Sequence, residues 1–304
     1  MTLKLNTIFS TLLLSTIIFI FCACASSEAP PARAKIRPTP VALPVIKPKP
    51  SANMVELTPD DEKRMTNAIF PDLKKDYPPL VDQAVQDYVT HLGLKLVGAS
   101  GWLHDYEFTF TVVKSVKVNA FSLPGGAVLV TTGLISLMGS EAELAGVIGH
   151  EIGHLKSRDV ALRLEESRDT EGRAEWYVPS GSTGLLTQKY SFIQHTPEQE
   201  MAADRFGFSA ALNANFNKDY IGLFFIRLNK INNESKTLGS LADAVASHQP
   251  ASARVAQLQL MAVESPAPSA QAIVSGPDFN RVRAACKDSV KDSVKAAVKP
   301  TTKK

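Results

Sequence analysis

Cysteine is scarce in this sequence, and so is any excess of charge. The 304 residues include three cysteines, and 33 basic against 30 acidic residues leave a formal net charge of +3. So small an excess gives no electrostatic argument for nucleic acid as a partner. Much of it lies in the lysine-rich C-terminal stretch, so the folded body need not be basic.

Long apolar runs are also few. One covers residues 8–21, follows the positive charge of Lys4 and ends in small residues. It is shorter than the ~20 residues of a membrane-spanning helix, and this arrangement is typical of an export signal. We therefore expect a signal over residues 1–25, with an uncleaved membrane anchor as the alternative. No later stretch of the sequence reaches spanning length.

The few cysteines indicate how the N-terminus is processed. The residues around Cys24 resemble a lipid-attachment signal, although Ala23 and Ala25 also fit ordinary signal cleavage. We favour lipidation at Cys24, because a proline-rich tether over residues 26–52 follows it directly and several acyl chains give durable anchoring. Cys286 then remains alone, which leaves no internal disulfide in the mature chain.

The spacing of apolar residues predicts an α+β domain over residues 54–263, mainly helical with a small antiparallel sheet of about three strands. Thr58, followed by Asp61, is expected to cap the first helix. Steps of three and four residues predict further helices over 79–97, 140–165, 197–212, 217–232 and 252–263. Alternation and turn residues predict strands near 106–113, 116–121 and 127–132.

Two stretches lack a clear period. Residues 166–190 mix charges, glycine, serine and proline, which indicates a long loop or a lid. Residues 264–304 are polar and rich in lysine, which predicts a C-terminal tail, and we expect its last stretch, residues 287–304, to be a marginal helix or disordered.

The chemistry lies in the pentapeptide that runs from His150 to His154. Positions four apart share one face of a helix, so both imidazoles can reach one metal ion. Zinc in peptidases takes two imidazoles and a carboxylate and keeps one position open. Glu151 lies one step around the helix, where it can act as the catalytic base on a metal-bound water.

A second acidic pair follows at a suitable distance. Glu200 and Asp204 are four residues apart on a predicted helix and therefore share a face. Taken alone, the pair could be a solvated acidic surface. Beside the two histidines, we predict that Glu200 is the third metal ligand and that Asp204 accepts a hydrogen bond from a ligand imidazole.

Two further histidines are candidates for the site. His195 lies close to Glu200 in sequence, but we assign it to the start of the helix rather than to the metal. His248 precedes the helix that contains Arg254, and it could stabilise an oxyanion or occupy the open metal position.

An ordered series of motifs resembles the gluzincin peptidases that include CAAX-prenyl endopeptidases and the bacterial envelope proteases BepA and LoiP. The resemblance covers roughly residues 55–263 and includes segments at 118–126 (VNAFSLPGG), 132–134, 143–154, 200–207 and 248–254. It implies a zincin-type metallopeptidase domain with one Zn²⁺ per chain. The prenyl-processing members span the membrane several times, so their substrates are not expected here.

The resemblance also implies a role for each matching residue. The metal ligands are His150, His154 and Glu200, the base is Glu151, and Asp204 orients a ligand. His248 and Arg254 line the site near the developing oxyanion. The predicted substrate edge strand and turn include Asn119, Ala120, Phe121, Gly125 and Gly126.

The expected protein is a zinc endopeptidase of a Gram-negative cell envelope, a periplasm-facing lipoprotein of the outer membrane. Its expected substrates are misfolded or stalled outer-membrane and periplasmic proteins in an extended state, which can pair with an edge strand. A chaperone-like assembly factor with low or regulated proteolysis is the alternative. A structural lipoprotein with a degenerate site is a third and weaker hypothesis. The sequence leaves the oligomeric state open.

Overall fold

A computed structural model describes residues 58–103, 106–166, 195–234, 248 and 252–298. The predicted signal, the tether and residues 167–190 of the predicted loop lie outside these ranges. The helices are α1 Pro59–Asp76, α2 Gln83–Ser100, α3 Thr132–Leu137, α4 Glu141–Ser157, α5 Asp159–Glu166, α6 Pro197–Asn213, α7 Lys218–Ile221, α8 Leu223–Glu234, α9 Ser252–Glu264 and α10 Pro277–Val298. The strands are β1 Thr109–Val113, β2 Ala120–Leu123 and β3 Ala127–Thr131. None of these helices is both long and apolar enough to cross a bilayer.

The sheet is mixed, which corrects the prediction of an antiparallel sheet. Its order is β1-β3-β2, with β2 antiparallel to β3 and β1 parallel to β3. The β2–β3 hairpin turns at Gly125 and Gly126, where φ is +77° and +99° and glycine is favoured. Because β3 takes the middle position, β1 and β2 lie at the two edges of this three-stranded sheet.

The second strand begins later than predicted. Residues 116–119 are not part of β2: the backbone N–H of Thr131 still donates to the Asn119 carbonyl at 3.0 Å, but the Thr131 side chain takes the place of the backbone acceptor. Its hydroxyl accepts the backbone N–H of Asn119 at 3.1 Å and lies 2.7 Å from the carbonyl oxygen of Lys117. The strand therefore starts at Ala120.

The helix predicted over residues 140–165 is broken in two. Ser140 caps α4 as expected, and its side chain accepts the N–H of Glu143. The helix ends at Ser157 because Arg158 adopts a left-handed conformation with φ 57°. A new helix then starts at Asp159, and this break places the Asp159 side chain beside the histidines.

Close packing of α4 against α6 brings the two motifs together. A Cβ at Gly149 would lie 2.9 Å from Cα of Gly207, and one at Gly153 would lie 2.8 Å from Cα of Ala203. Real Cβ atoms do not approach so closely, so small residues are required at this crossing. The acidic face of α6 can therefore reach the imidazoles of α4.

The C-terminal stretch contains a packed helix, which corrects the prediction of a polar tail. In α10, Phe279, Val282 and Cys286 are fully buried in the main hydrophobic core. They recur at steps of three and four residues, a pattern obscured by the many lysines around them. Burial raises the pKa of Cys286 to about 12, so its thiol is not reactive near neutral pH.

Candidate metal centre

The predicted ligand residues meet at one point in the interior. His150, His154 and Glu200 are each about 1% exposed. The two Nε2 atoms lie 3.0 Å apart. Glu200 Oε2 is 3.5 Å from His150 Nε2, and Glu200 Oε1 is 3.4 Å from His154 Nε2.

Each ligand histidine is oriented by a carboxylate on its far side. His150 Nδ1 lies 2.8 Å from Asp204 Oδ1, and His154 Nδ1 lies 2.8 Å from Asp159 Oδ2. Because each Nδ1–H donates to a carboxylate, both Nε2 atoms direct lone pairs into the same small space. A cation must lie between them, either a metal ion or a proton.

The donor set fits zinc. Tetrahedral bonds of about 2.0–2.1 Å separate neighbouring donors by about 3.3 Å, which agrees with the 3.0–3.5 Å found between these donor atoms. Glu200 Oε2 is buried and, apart from an ion pair with Arg254, has no hydrogen-bond partner among the described residues, so it keeps a lone pair for a metal ion. Zinc bound here supplies a Lewis acid that polarises a peptide carbonyl and acidifies a bound water.

The pKa shifts of His154 and Glu200 agree with a bound cation at this position. Burial works against the charged form of His154, but the Asp159 and Glu200 contacts outweigh it and raise the pKa of His154 to about 9. Burial also disfavours the charged form of Glu200, yet the neighbouring His248 and His150 hold the pKa of Glu200 well below its ordinary value. Before metal binds, a proton on His154 therefore neutralises part of the negative charge.

Asp159 is a site residue that the sequence analysis missed. Besides its contact with His154, its Oδ1 accepts a hydrogen bond of 3.0 Å from Gln199 Nε2 on α6. Its position five residues after a ligand histidine is the only signal for it in the sequence. That signal has no meaning until the helix break at Arg158 is known.

Arg254 lies on the carboxylate side of the centre. Its Nε and Nη2 each donate to Asp204 at 2.7 Å, and its Nη1 lies 2.5 Å from Glu200 Oε2. The last contact is a buried ion pair that holds the Glu200 carboxylate in place. These contacts give Arg254 a positioning role, and its predicted place near an oxyanion stays a prediction.

His248 lies over the open side of the ligand set. Its Nδ1 is 3.0 Å from Glu200 Oε1 and 3.2 Å from His150 Nε2. Its Nε2 is 3.3 Å from both Glu151 Oε1 and the carbonyl oxygen of Ala120. The imidazole can therefore serve as a fourth ligand, as the sequence analysis allowed.

His195 lies closer to the centre than predicted. Its ring stacks on that of His154, with centroids 3.6 Å apart and planes 11° apart. The helix is instead capped by Thr196, whose side chain accepts the N–H of Gln199. His195 therefore forms part of the wall beside a ligand histidine.

The residues of the predicted substrate strand divide between two places. Asn119 and Ala120 line a pocket together with Glu151 and His248. Phe121 points to the opposite face of the sheet, into a second hydrophobic cluster. Gly125 and Gly126 lie in the turn at the far end of β2.

Comparisons with known proteins agree with this geometry. Residues 83–171 match peptidase family M48. The chain is 28% identical over 224 residues to the putative beta-barrel assembly-enhancing protease of Vibrio cholerae, covering 69% of the chain and 45% of that protein. It is 30% identical over 157 residues to the metalloprotease LoiP of Escherichia coli, covering 49% of the chain and 60% of that protein.

The beta-barrel assembly-enhancing protease of Escherichia coli is 25% identical over 183 residues, which is 55% of the chain and 37% of that protein. The chain thus spans less than half the length of the two beta-barrel assembly-enhancing proteases. The matched M48 region includes His150, Glu151 and His154, whose geometry fits zinc. The chain therefore carries a peptidase family M48 domain that includes residues 83–171 and whose ligand residues fit one zinc ion.

Proposed function

We propose that the chain cleaves extended segments of misfolded or stalled outer-membrane and periplasmic proteins in a Gram-negative cell envelope. The observation that carries this proposal is a strand edge that begins beside the metal centre. Two relatives are named beta-barrel assembly-enhancing proteases, which supports clients of this kind. The lipid anchor at Cys24 and the tether over residues 26–52 belong to the same proposal, and the mass of the mature N-terminus tests the anchor.

The edge belongs to β2. Among the described residues, β2 pairs with β3 alone, but all four of its residues are buried, so a further strand can pair with its other side only after neighbouring groups move. The Ala120 carbonyl on that strand is 3.3 Å from His248 Nε2, beside the base and the ligands. A substrate backbone that pairs with β2 passes close to the metal centre. Pairing through the backbone needs an extended chain but little specific sequence.

Glu151 is placed to move the proton of the reaction. Its side chain is about 1% exposed, and its Oε2 has no hydrogen-bond partner among the described residues. This oxygen can accept a proton from the attacking water and later deliver it to the leaving amine. The His248 imidazole at 3.3 Å from Oε1 must move before water and substrate can both enter.

The proposal is tested with an unfolded outer-membrane β-barrel protein and the same protein folded in detergent micelles. The full chain, loaded with zinc, is expected to fragment the unfolded form and to spare the folded one. A chelator should stop the cleavage, and added zinc should restore it. Equal cleavage of both forms, or no cleavage by the zinc-loaded chain, contradicts the proposal.

A pocket beside Glu151 indicates which substrate side chain the site prefers next to the scissile bond. It is a small cleft of about 20 Å³ next to Glu151. Its walls are mostly apolar and include Ala120, Leu134, Val147, Phe224, Phe225 and Leu228. These walls favour an apolar side chain next to the scissile bond, which the cleft can admit once His248 moves aside.

Leu228→Phe is expected to narrow this pocket and to change specificity. We compare two peptides that differ only in having leucine or alanine next to the scissile bond. The ratio of their kcat/KM values should fall by about 10- to 100-fold, the usual worth of apolar side-chain groups in a pocket. The ratio does not depend on how much of the variant is folded. An unchanged ratio means that the pocket does not hold the substrate side chain.

A chaperone-like assembly factor is the second candidate function. It is favoured by the position of His248. Its imidazole contacts the ligand Glu200, the base Glu151 and the Ala120 carbonyl of β2. With this ring in place, a client strand could be held while turnover stays low or regulated.

A further inference from the structure

A buried carboxylate on α1 lies outside the ligand set and is about 1% exposed. Glu62 accepts hydrogen bonds from Tyr106 Oη at 2.9 Å, from the backbone N–H of Gly125 at 3.0 Å and from Arg158 Nε at 2.5 Å. Burial, together with the adjacent Glu62, raises the pKa of Tyr106, which keeps the phenol protonated as a donor. One carboxylate thus receives donors from three separate parts of the fold.

The contact between Glu62 and Arg158 connects α1 to the metal centre. Arg158 ends the metal-binding helix α4 with φ 57° and ψ 29°, a conformation that residues other than glycine rarely adopt. The next residue is Asp159, which orients His154 at 2.8 Å. The backbone angles of Arg158 decide where the Asp159 carboxylate lies. The ion pair between Arg158 and Glu62 holds that arrangement.

The second connection leads to the substrate edge. The N–H of Gly125 in the β2–β3 turn donates to Glu62 Oε2. One turn further along α1, the Thr66 hydroxyl donates to the carbonyl of Pro124 at 2.6 Å. A Cβ at Gly125 would lie 2.8 Å from the backbone nitrogen of Lys63, so the turn packs directly on the helix. The end of β2 that lies away from the metal is fixed in this way.

We propose that Glu62 is a positioning residue that sets the metal-binding helix and the substrate strand relative to each other through α1. The part of this inference that concerns the substrate strand, the strand half, rests on the proposed function. The part that concerns zinc binding, the metal half, does not. For stability alone, an apolar side chain of similar volume would serve as well as a buried charge. A carboxylate also accepts directional hydrogen bonds, and these bonds fix the positions of the segments that donate them.

Separate variants test the two halves. Arg158→Gly removes the ion pair but suits the left-handed backbone, so it is expected to fold. It should lower zinc affinity by about tenfold or more, as loss of support behind a ligand does, and leave KM unchanged. Thr66→Val keeps the shape but loses the bond to Pro124. It should raise KM for an unfolded client about two- to tenfold, with zinc affinity unchanged.

Glu62→Gln should show both effects, because its amide presents a donor where donors already point. Zinc affinity is measured by chelator competition, without substrate, and kcat and KM are measured with saturating zinc. The matched control is Glu107→Gln, which removes an exposed carboxylate bonded to Lys63 on the same helix and should change neither quantity.

The inference is overturned if Glu62→Gln keeps wild-type zinc affinity and KM, even where its melting temperature falls. It is also overturned if Arg158→Gly binds zinc normally. If the wild-type chain does not cleave unfolded clients at all, the proposed function fails. The zinc affinities of Glu62→Gln and Arg158→Gly still decide the metal half in that case.

Discussion

Glu151→Gln should retain zinc and lose proteolysis by about 10²- to 10⁴-fold, the usual contribution of a general base. Glutamine has nearly the same shape and keeps an oxygen toward the site, but it cannot take a proton from water. The ligand atoms of His150, His154 and Glu200 are untouched, so the metal should stay bound. Metal analysis of the purified variant and its turnover of an unfolded client measure the two effects.

The control for this change is Glu198→Gln on α6, an exposed carboxylate two residues from a ligand. It should behave as the wild type in both measurements. Cleavage by Glu151→Gln at the normal rate would mean that another group acts as the base. Loss of zinc from this variant would show that the side chain supports the metal rather than the water.

The same variant separates the two candidate functions in cells. An inactive protease that still binds client strands should rescue an envelope-assembly defect only if binding is the main task. Full rescue by Glu151→Gln supports the chaperone-like role, because the metal centre and the β2 edge remain intact. No rescue supports proteolysis, provided that the variant accumulates to the wild-type level.

The local parts of the site could be predicted from the sequence. Helical spacing alone places His150 and His154 on one face, and it does the same for Glu200 and Asp204. The fold class also follows from local periods, which is why a mainly helical domain with a small sheet was expected. These features depend on residues that are close in the chain.

The remaining parts depend on contacts between distant segments. β1 pairs in parallel with β3 and not with β2, its neighbour in sequence, and alternation carries no information about which strands pair or in which direction. Asp159 reaches His154 only because Arg158 takes a left-handed conformation without being glycine. Glu62 is 96 residues from Arg158, so nothing in the local pattern connects them.

Arg254→Leu should be the most destabilising single change in the site. The guanidinium is about 3% exposed and pairs with Asp204 and Glu200, which are as deeply buried. Removing it leaves two buried carboxylates short of a partner, and breaking such a pair costs about 3–5 kcal/mol. Because these groups are buried, solvent screens their ion pairs only weakly. Chemical denaturation of the metal-free protein measures the loss of unfolding free energy.

Arg205→Leu is the matched control, since Arg205 bridges the same two helices through an exposed hydrogen bond to Gln257 at 2.7 Å. Its loss should cost less than about 1 kcal/mol, as is usual for an exposed polar contact. Adding Asp204→Asn to Arg254→Leu should recover part of the stability, because one unpaired charge is then removed. If Arg254→Leu is no more harmful than the control, the buried ion pairs do not hold α6 against α9. The carboxylates then keep their positions for another reason.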